Sequence, residues 1–123
     1  MKTQKTKTNK EIRIPILNDE YSVIVCWGDI KYIEGVLKAW GHGLDGMKSK
    51  AFIHSRGATF YCENCHPIIV LIRKPKTPEE VGTLAHEACH AVINIFNKIS
   101  ELEYNEVFAH SVGAVVRKVL STK

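Results

Sequence analysis

The sequence predicts an α+β fold, with a small twisted sheet of four or five strands packed against one preceding helix and a terminal pair of helices. Three observations predict it. Short β-branched and aromatic segments punctuated by glycine and proline occupy most of residues 11–73. Apolar residues at helical spacing appear once among them and then twice in succession at the end. A length of 123 residues is that of one small domain, too short for a second substrate-binding lobe.

Taken in order, residues 1–10 carry Lys2, Lys5, Lys7 and Lys10, no acid, and only Met1 as an apolar side chain. They are expected to form a disordered basic tail, leaving a single domain over 11–123. EIRIPIL alternates apolar and polar residues and contains Pro15, which fits an edge strand. YSVIVCWG is β-branched and aromatic and ends at Gly28, a second strand. Asp29 is placed to N-cap a helix in which Ile30, Ile33, Val36, Leu37 and Trp40 recur at helical spacing, with Gly41 as its stop.

GHGLDGMKS is a glycine-rich loop that matches no phosphate-binding pattern. KAFIHSRGATFYCENCHPIIVLIRK predicts a meander, with one turn at Arg56-Gly57, another at Glu63-Asn64, and PIIVLIR as a continuous apolar strand. Thr77-Pro78-Glu79-Glu80 is a capping box with proline at the first helical position, opening a helix over 78–97. Ser100-Glu101-Leu102-Glu103 repeats the signal for a helix over 101–120, with Ile99 and Tyr104 as its hydrophobic staple. So short a connection makes the two helices antiparallel or sharply crossed neighbours.

Composition narrows the function classes. At 45% hydrophobic and 24% charged residues the chain has the make-up of an ordinary globular protein. It has no apolar run of membrane-spanning length and no secretory leader pattern, so the expected compartment is the cytoplasm. The net charge of +4 resides in the lysine tail, since acids and bases balance from Glu11 onward. Four lysines without arginine or aromatic residues argue against nucleic acid as the main partner, although the tail supports such a module as a third reading. Without a leader, Cys26, Cys62, Cys65 and Cys89 are expected to be thiols or metal ligands.

The chemistry concentrates in LAHEACHAV. His86 and His90 are four apart on a predicted helix, so their imidazoles project from successive turns of one face, opposite the stripe of Val81, Leu84, Ala88, Val92, Ile95 and Ile99. Glu87 lies one step round, placed to take a proton from a zinc-bound water. In the last helix Glu106 and His110 share a face opposite Phe108, Val112, Val115, Val116 and Val119. Gly113 on that face would allow close helix approach, and either Glu106 or His110 could complete the metal. CENCH, residues 62–66, competes as a haem-attachment pattern or as part of a second zinc site with Cys26 or His54, but is best explained as a hairpin turn. Cys89 is expected to be a small packed side chain.

His86-Glu87-x-x-His90 followed by Asn105-Glu106 resembles the gluzincin class of zinc metallopeptidases, and its smallest, minigluzincin-like members and similar short phage-encoded HExxH proteins in particular. The resemblance covers roughly residues 67–115. It implies a zincin-like fold with an active-site helix and a glutamate helix, one Zn2+ held by His86, His90 and Glu106, and Glu87 as general base. It also implies a peptide or protein substrate bound by strand addition to PIIVLIR. Where the family has an acidic residue this chain has His110, an alternative ligand or a partner to a ligand histidine. His54, Arg56, His66, Tyr104 and His110 are the candidates for stabilising the oxyanion. The expected function is zinc-dependent peptide-bond hydrolysis. The alternative is a weak or inactive zincin-scaffold binding or inhibitor protein, such as a phage protein acting on a host target.

Overall fold

The computed structural model describes residues 8–17, 20–43, 56–99 and 106–123. Seven elements follow in the order β1 (Lys10–Ile16), β2 (Tyr21–Trp27), α1 (Ile30–Ala39), β3 (Gly57–Phe60), β4 (Ile68–Leu71), α2 (Pro78–Lys98) and α3 (Glu106–Ser121). The four strands form one mixed sheet in the order β1-β2-β4-β3, an α+β architecture. The pairs β1/β2 and β3/β4 are antiparallel, while β2 and β4 run parallel with α1 on the crossover. No helix among the described residues is long and apolar enough to cross a membrane.

Strand alternation divides the core into two layers. Val23, Val25, Trp27, Ile69 and Leu71 face α2 and α3, meeting Leu84, Ala88, Val92, Ile95, Phe96, Val115 and Val119. Ile24, Cys26, Ile68 and Val70 face the other way, onto Ile33, Val36 and Leu37 of α1. This two-sided burial explains why YSVIVCW and IIVL are continuous apolar runs while β1 alternates. Pro15 sits on β1, at the edge of the sheet, where a missing N–H is tolerated.

Three local expectations change. Gly57 is the first residue of β3 rather than a turn residue. A Cβ there would stand 3.1 Å from both Leu71 Cδ2 and Thr83 Cγ2, so glycine lets β3 lie close to α2. Asp29 holds the N-cap position of α1 but makes no side-chain cap; its N–H instead donates to Asn9 Oδ1 at 3.1 Å. Asn9 and Lys10 therefore belong to the fold, although the expected tail included Lys10. The Ser100 capping box, Tyr104 and His54 lie outside the described residues.

The Thr77 capping box forms as its residues predict. Thr77 Oγ1 accepts from the N–H of Glu80 at 3.1 Å, and Glu80 Oε1 accepts from the N–H of Thr77 at 3.2 Å. Glu80 also accepts from the N–H of Lys76 at 2.9 Å and pairs with Arg73 at 2.7 Å. The Lys76 N–H is the main cause of a carboxyl held below the usual carboxylate range; desolvation opposes it, and Arg73 and Thr77 add to it. A lowered folded pKa stabilises the fold above the unfolded value, and that stability is lost as pH falls through the folded one. Glu80→Gln is therefore expected to lower the urea midpoint at neutral pH, with the gap to wild type closing on acidification. A gap constant with pH would assign the effect to packing instead.

Candidate metal centre

The capping box sets the phase of α2, and that phase decides which residues meet the sheet. Leu84, Ala88, Ala91, Val92 and Ile95 are buried, which turns His86 and His90 to the solvent side. Their Nε2 atoms lie 3.1 Å apart, and the rings cross edge to face with centroids 4.7 Å apart. Two nitrogen ligands on a tetrahedral zinc, with Zn–N near 2.0–2.1 Å, stand about 3.3 Å apart. The pair is thus within a few tenths of an ångström of the spacing one zinc ion needs.

Glu87 sits on the flank facing β3. Its side chain is 11% exposed, against 68% for His86. Thr59 Oγ1 donates to Glu87 Oε1 at 2.6 Å, and Oε2 lies 4.0 Å from His86 Nε2. A cavity of about 550 Å³ opens here, lined by Arg56, Gly57, Glu79, Thr83, His86 and Glu87 among others. Of the described oxyanion candidates (Arg56, His66 and His110), Arg56 lines it. His66 does not: its Nδ1 accepts from the Ser22 N–H at 3.3 Å, and burial first, then nearby positive charge, holds it below the usual histidine range. Thr59 and Glu79 carry no motif signal; only the strand-to-helix packing reveals them.

PIIVLIR was expected to bind substrate, but β4 is paired with β2 on one side and β3 on the other, so both its edges are spent. Among the described residues the edge strand beside the cavity is β3, whose described strand partner is β4.

Glu106 and His110 share a face of α3, as their spacing predicts, with Nε2 and Oε2 3.6 Å apart. That face is turned to solvent, the two side chains being 88% and 78% exposed. The helices are antiparallel: Phe96 meets Phe108 at one end, and Lys74 Nζ donates to the Thr122 carbonyl at the other. In that register Glu106 lies level with Lys98, about 12 Å beyond His90 along the axis. Phe96, which touches α3, and Glu87, which touches β3, are about two and a half turns apart and so on opposite flanks of α2. The structure brings His86, Glu87 and His90 together and does not bring Glu106 or His110 to them. Nor does Gly113 admit a close helix approach; a Cβ there would meet Arg117 at 3.0 Å.

A second cluster gathers at CENCH. Cys62 and Cys65 meet in a disulfide across the turn between β3 and β4, their Cα atoms 5.5 Å apart. A His42 ring nitrogen completes the only group of three metal-ligating side chains found among the described residues, with ligand atoms all within 4.8 Å of one another. Cys26 does not join it: burial first, and then the Glu11 charge, pushes that thiol up to about 12. Cys89 is a free, partly buried thiol between the histidines, consistent with packing.

No family model, curated protein or solved structure matches the chain.

Proposed function

We propose that the protein is a zinc-dependent metallopeptidase acting on an extended peptide segment. The observation that carries this reading is the pairing of two imidazole nitrogens at 3.1 Å with a sequestered carboxylate, Glu87, at the mouth of a cavity bordered by a sheet edge. Zinc would supply a Lewis acid for the scissile carbonyl and lower the pKa of water. His86 and His90 would hold it. Glu106 is the third ligand the gluzincin resemblance implies, and to serve it must come from a position about 12 Å further along the helix axis. His110 is the alternative.

The chain's own residues then have distinct tasks. Thr59 fixes Oε1 of Glu87 and leaves Oε2 turned toward His86, so the carboxylate is oriented to take a proton from the attacking water and return it to the leaving amine. The outer edge of β3, the sheet edge beside the cavity among the described residues, would add substrate as a further antiparallel strand, a role that moves here from β4. Arg56, at the start of that edge, is the cation available for the developing oxyanion.

The exposure of Glu106 and His110 favours a second reading, a zincin-scaffold binding protein that carries metal without turnover. Zinc content and hydrolysis of unstructured peptides, measured on wild type and the His86→Ala/His90→Ala double variant, separate the two. The peptidase reading expects both to fall together, with Glu106→Ala also losing zinc. Zinc bound through the histidines without any cleavage would establish the binding protein, and zinc retained in Glu106→Ala would remove Glu106 as a ligand.

A further inference from the structure

The geometry points to a second metal site, in which His42, Cys62 and Cys65 bind Zn2+ when the two cysteines are reduced. This site is separate from the His86/His90 face and does not depend on it.

The sequence builds it from three local devices. Helix α1 ends with Gly41 in the left-handed region at φ 86°. The N–H of Gly41 donates to the Lys38 carbonyl at 3.0 Å, and that of His42 to the Leu37 carbonyl at 2.8 Å. This paired termination turns the chain and delivers His42 inward. His42 is only 7% exposed, unusual for a histidine just past a helix end. The second device is the Cys62-Glu63-Asn64-Cys65 turn, which places two sulfurs side by side. The third is Lys98 at the end of α2, whose Nζ donates to the Cys65 carbonyl at 2.7 Å and so fixes the turn against the helix.

The hydrogen bonds of His42 argue for a ligand rather than a packed ring. Its Nε2 lies 2.7 Å from the His66 carbonyl, an acceptor, so Nε2 donates there, and in the neutral tautomer this requires, Nδ1 is the nitrogen with the lone pair. Metal-binding histidines are held in this way, one nitrogen donating to a carbonyl while the other meets the ion. A His42 ring nitrogen lies within 4.8 Å of both sulfurs, an approach that a disulfide by itself does not require. Two thiolates and an imidazole are a donor set suited to Zn2+. Each thiol loses its proton to solvent as its Zn–S bond forms, so binding releases two protons per ion. The fourth position is left to water.

The site joins the end of α1 to the turn that follows β3, the edge strand of the sheet among the described residues. An ion here would hold that end of the edge strand in register, a structural task at the opposite end of β3 from Arg56.

The test uses the full chain carrying His86→Ala and His90→Ala, so that the other candidate site is absent. A phosphine reductant supplies the two electrons that convert the disulfide to thiols, and Co2+ or Zn2+ is then titrated. We expect about one ion per chain and a thiolate-to-cobalt charge-transfer absorption. Cys62→Ser, on an exposed turn, and Cys65→Ser should each abolish that absorption with the far-ultraviolet circular dichroism unchanged, as should re-forming the disulfide. His42→Gln should weaken binding by at least about 10–100-fold, the cost of losing even an outer-shell partner of a ligand. Absence of cobalt–thiolate absorption in the folded, reduced protein, or its persistence in the serine variants, would overturn the proposal.

Discussion

Glu87→Gln is expected to lower peptide hydrolysis by about 10²–10⁴-fold, the usual contribution of a positioned general base. Zinc content and thermal stability should stay near wild type. The substitution keeps the shape of the side chain and an oxygen to accept from Thr59 Oγ1, now 2.6 Å from Oε1, so the packing of α2 against β3 survives. It removes the basic oxygen at the cavity mouth. Because Glu87 lies on a different flank of α2 from the solvent-turned histidines, the positions of His86 and His90 should be unchanged. Hydrolysis unchanged in Glu87→Gln would remove the carboxylate from the mechanism even if zinc proved essential. Loss of both zinc and fold would mean that its contact with Thr59 is structural.

The elements that could be read from the sequence are those whose signals are local. The Thr77-Pro78 capping box, the Gly41 stop and the two-sided apolar runs of β2 and β4 each record a backbone requirement in neighbouring residues. Strand order does not work that way. β4 is central because α1 crosses over to set β4 parallel to β2, and β3 folds back on its other side. The residues of PIIVLIR do not record which strands flank it, so the strand expected to offer an edge for strand addition is instead a central one.

The candidate site divides along the same line. His86 and His90 converge because helical spacing alone brings i and i+4 together, and the capping box fixes the side they occupy. Glu106 and His110 also converge with each other, for the same reason. Whether that face meets α2 depends on how α3 rotates about its axis. Phe108, Val115 and Val119 settle this by packing inward, which leaves the acid and the imidazole outside. His42 was missed because its partners are 20 or more residues away and its burial depends on the Gly41 turn meeting the β3–β4 connection. A CxxC pair was the available signal, and the histidine beside it comes from another part of the fold.

Phe96→Ala is expected to destabilise the protein by about 3–5 kcal/mol, the range for deleting a buried phenylalanine. Among the described residues Phe96 is the largest fully buried side chain, at 2% exposure, and it joins two contacts. It closes the core layer beside Ile95, and it meets Phe108 edge to face at 5.5 Å, anchoring the start of α3. Against a total stability of about 5–15 kcal/mol, the loss would unfold a large share of molecules on warming. Phe108→Ala, partly buried, should cost less. The double variant should fall short of additivity by about 0.5–1.5 kcal/mol, the coupling of such a ring pair. Urea midpoints of the four proteins measure this directly. Additive losses would show that the Phe96–Phe108 contact does not couple α2 to α3. The same series bears on the metal. If a third ligand comes from α3, Phe108→Ala should weaken zinc binding at His86/His90 while the chain remains folded. If zinc affinity is unchanged there, α3 serves only to cover the sheet, and the histidine pair must draw its remaining ligand from elsewhere.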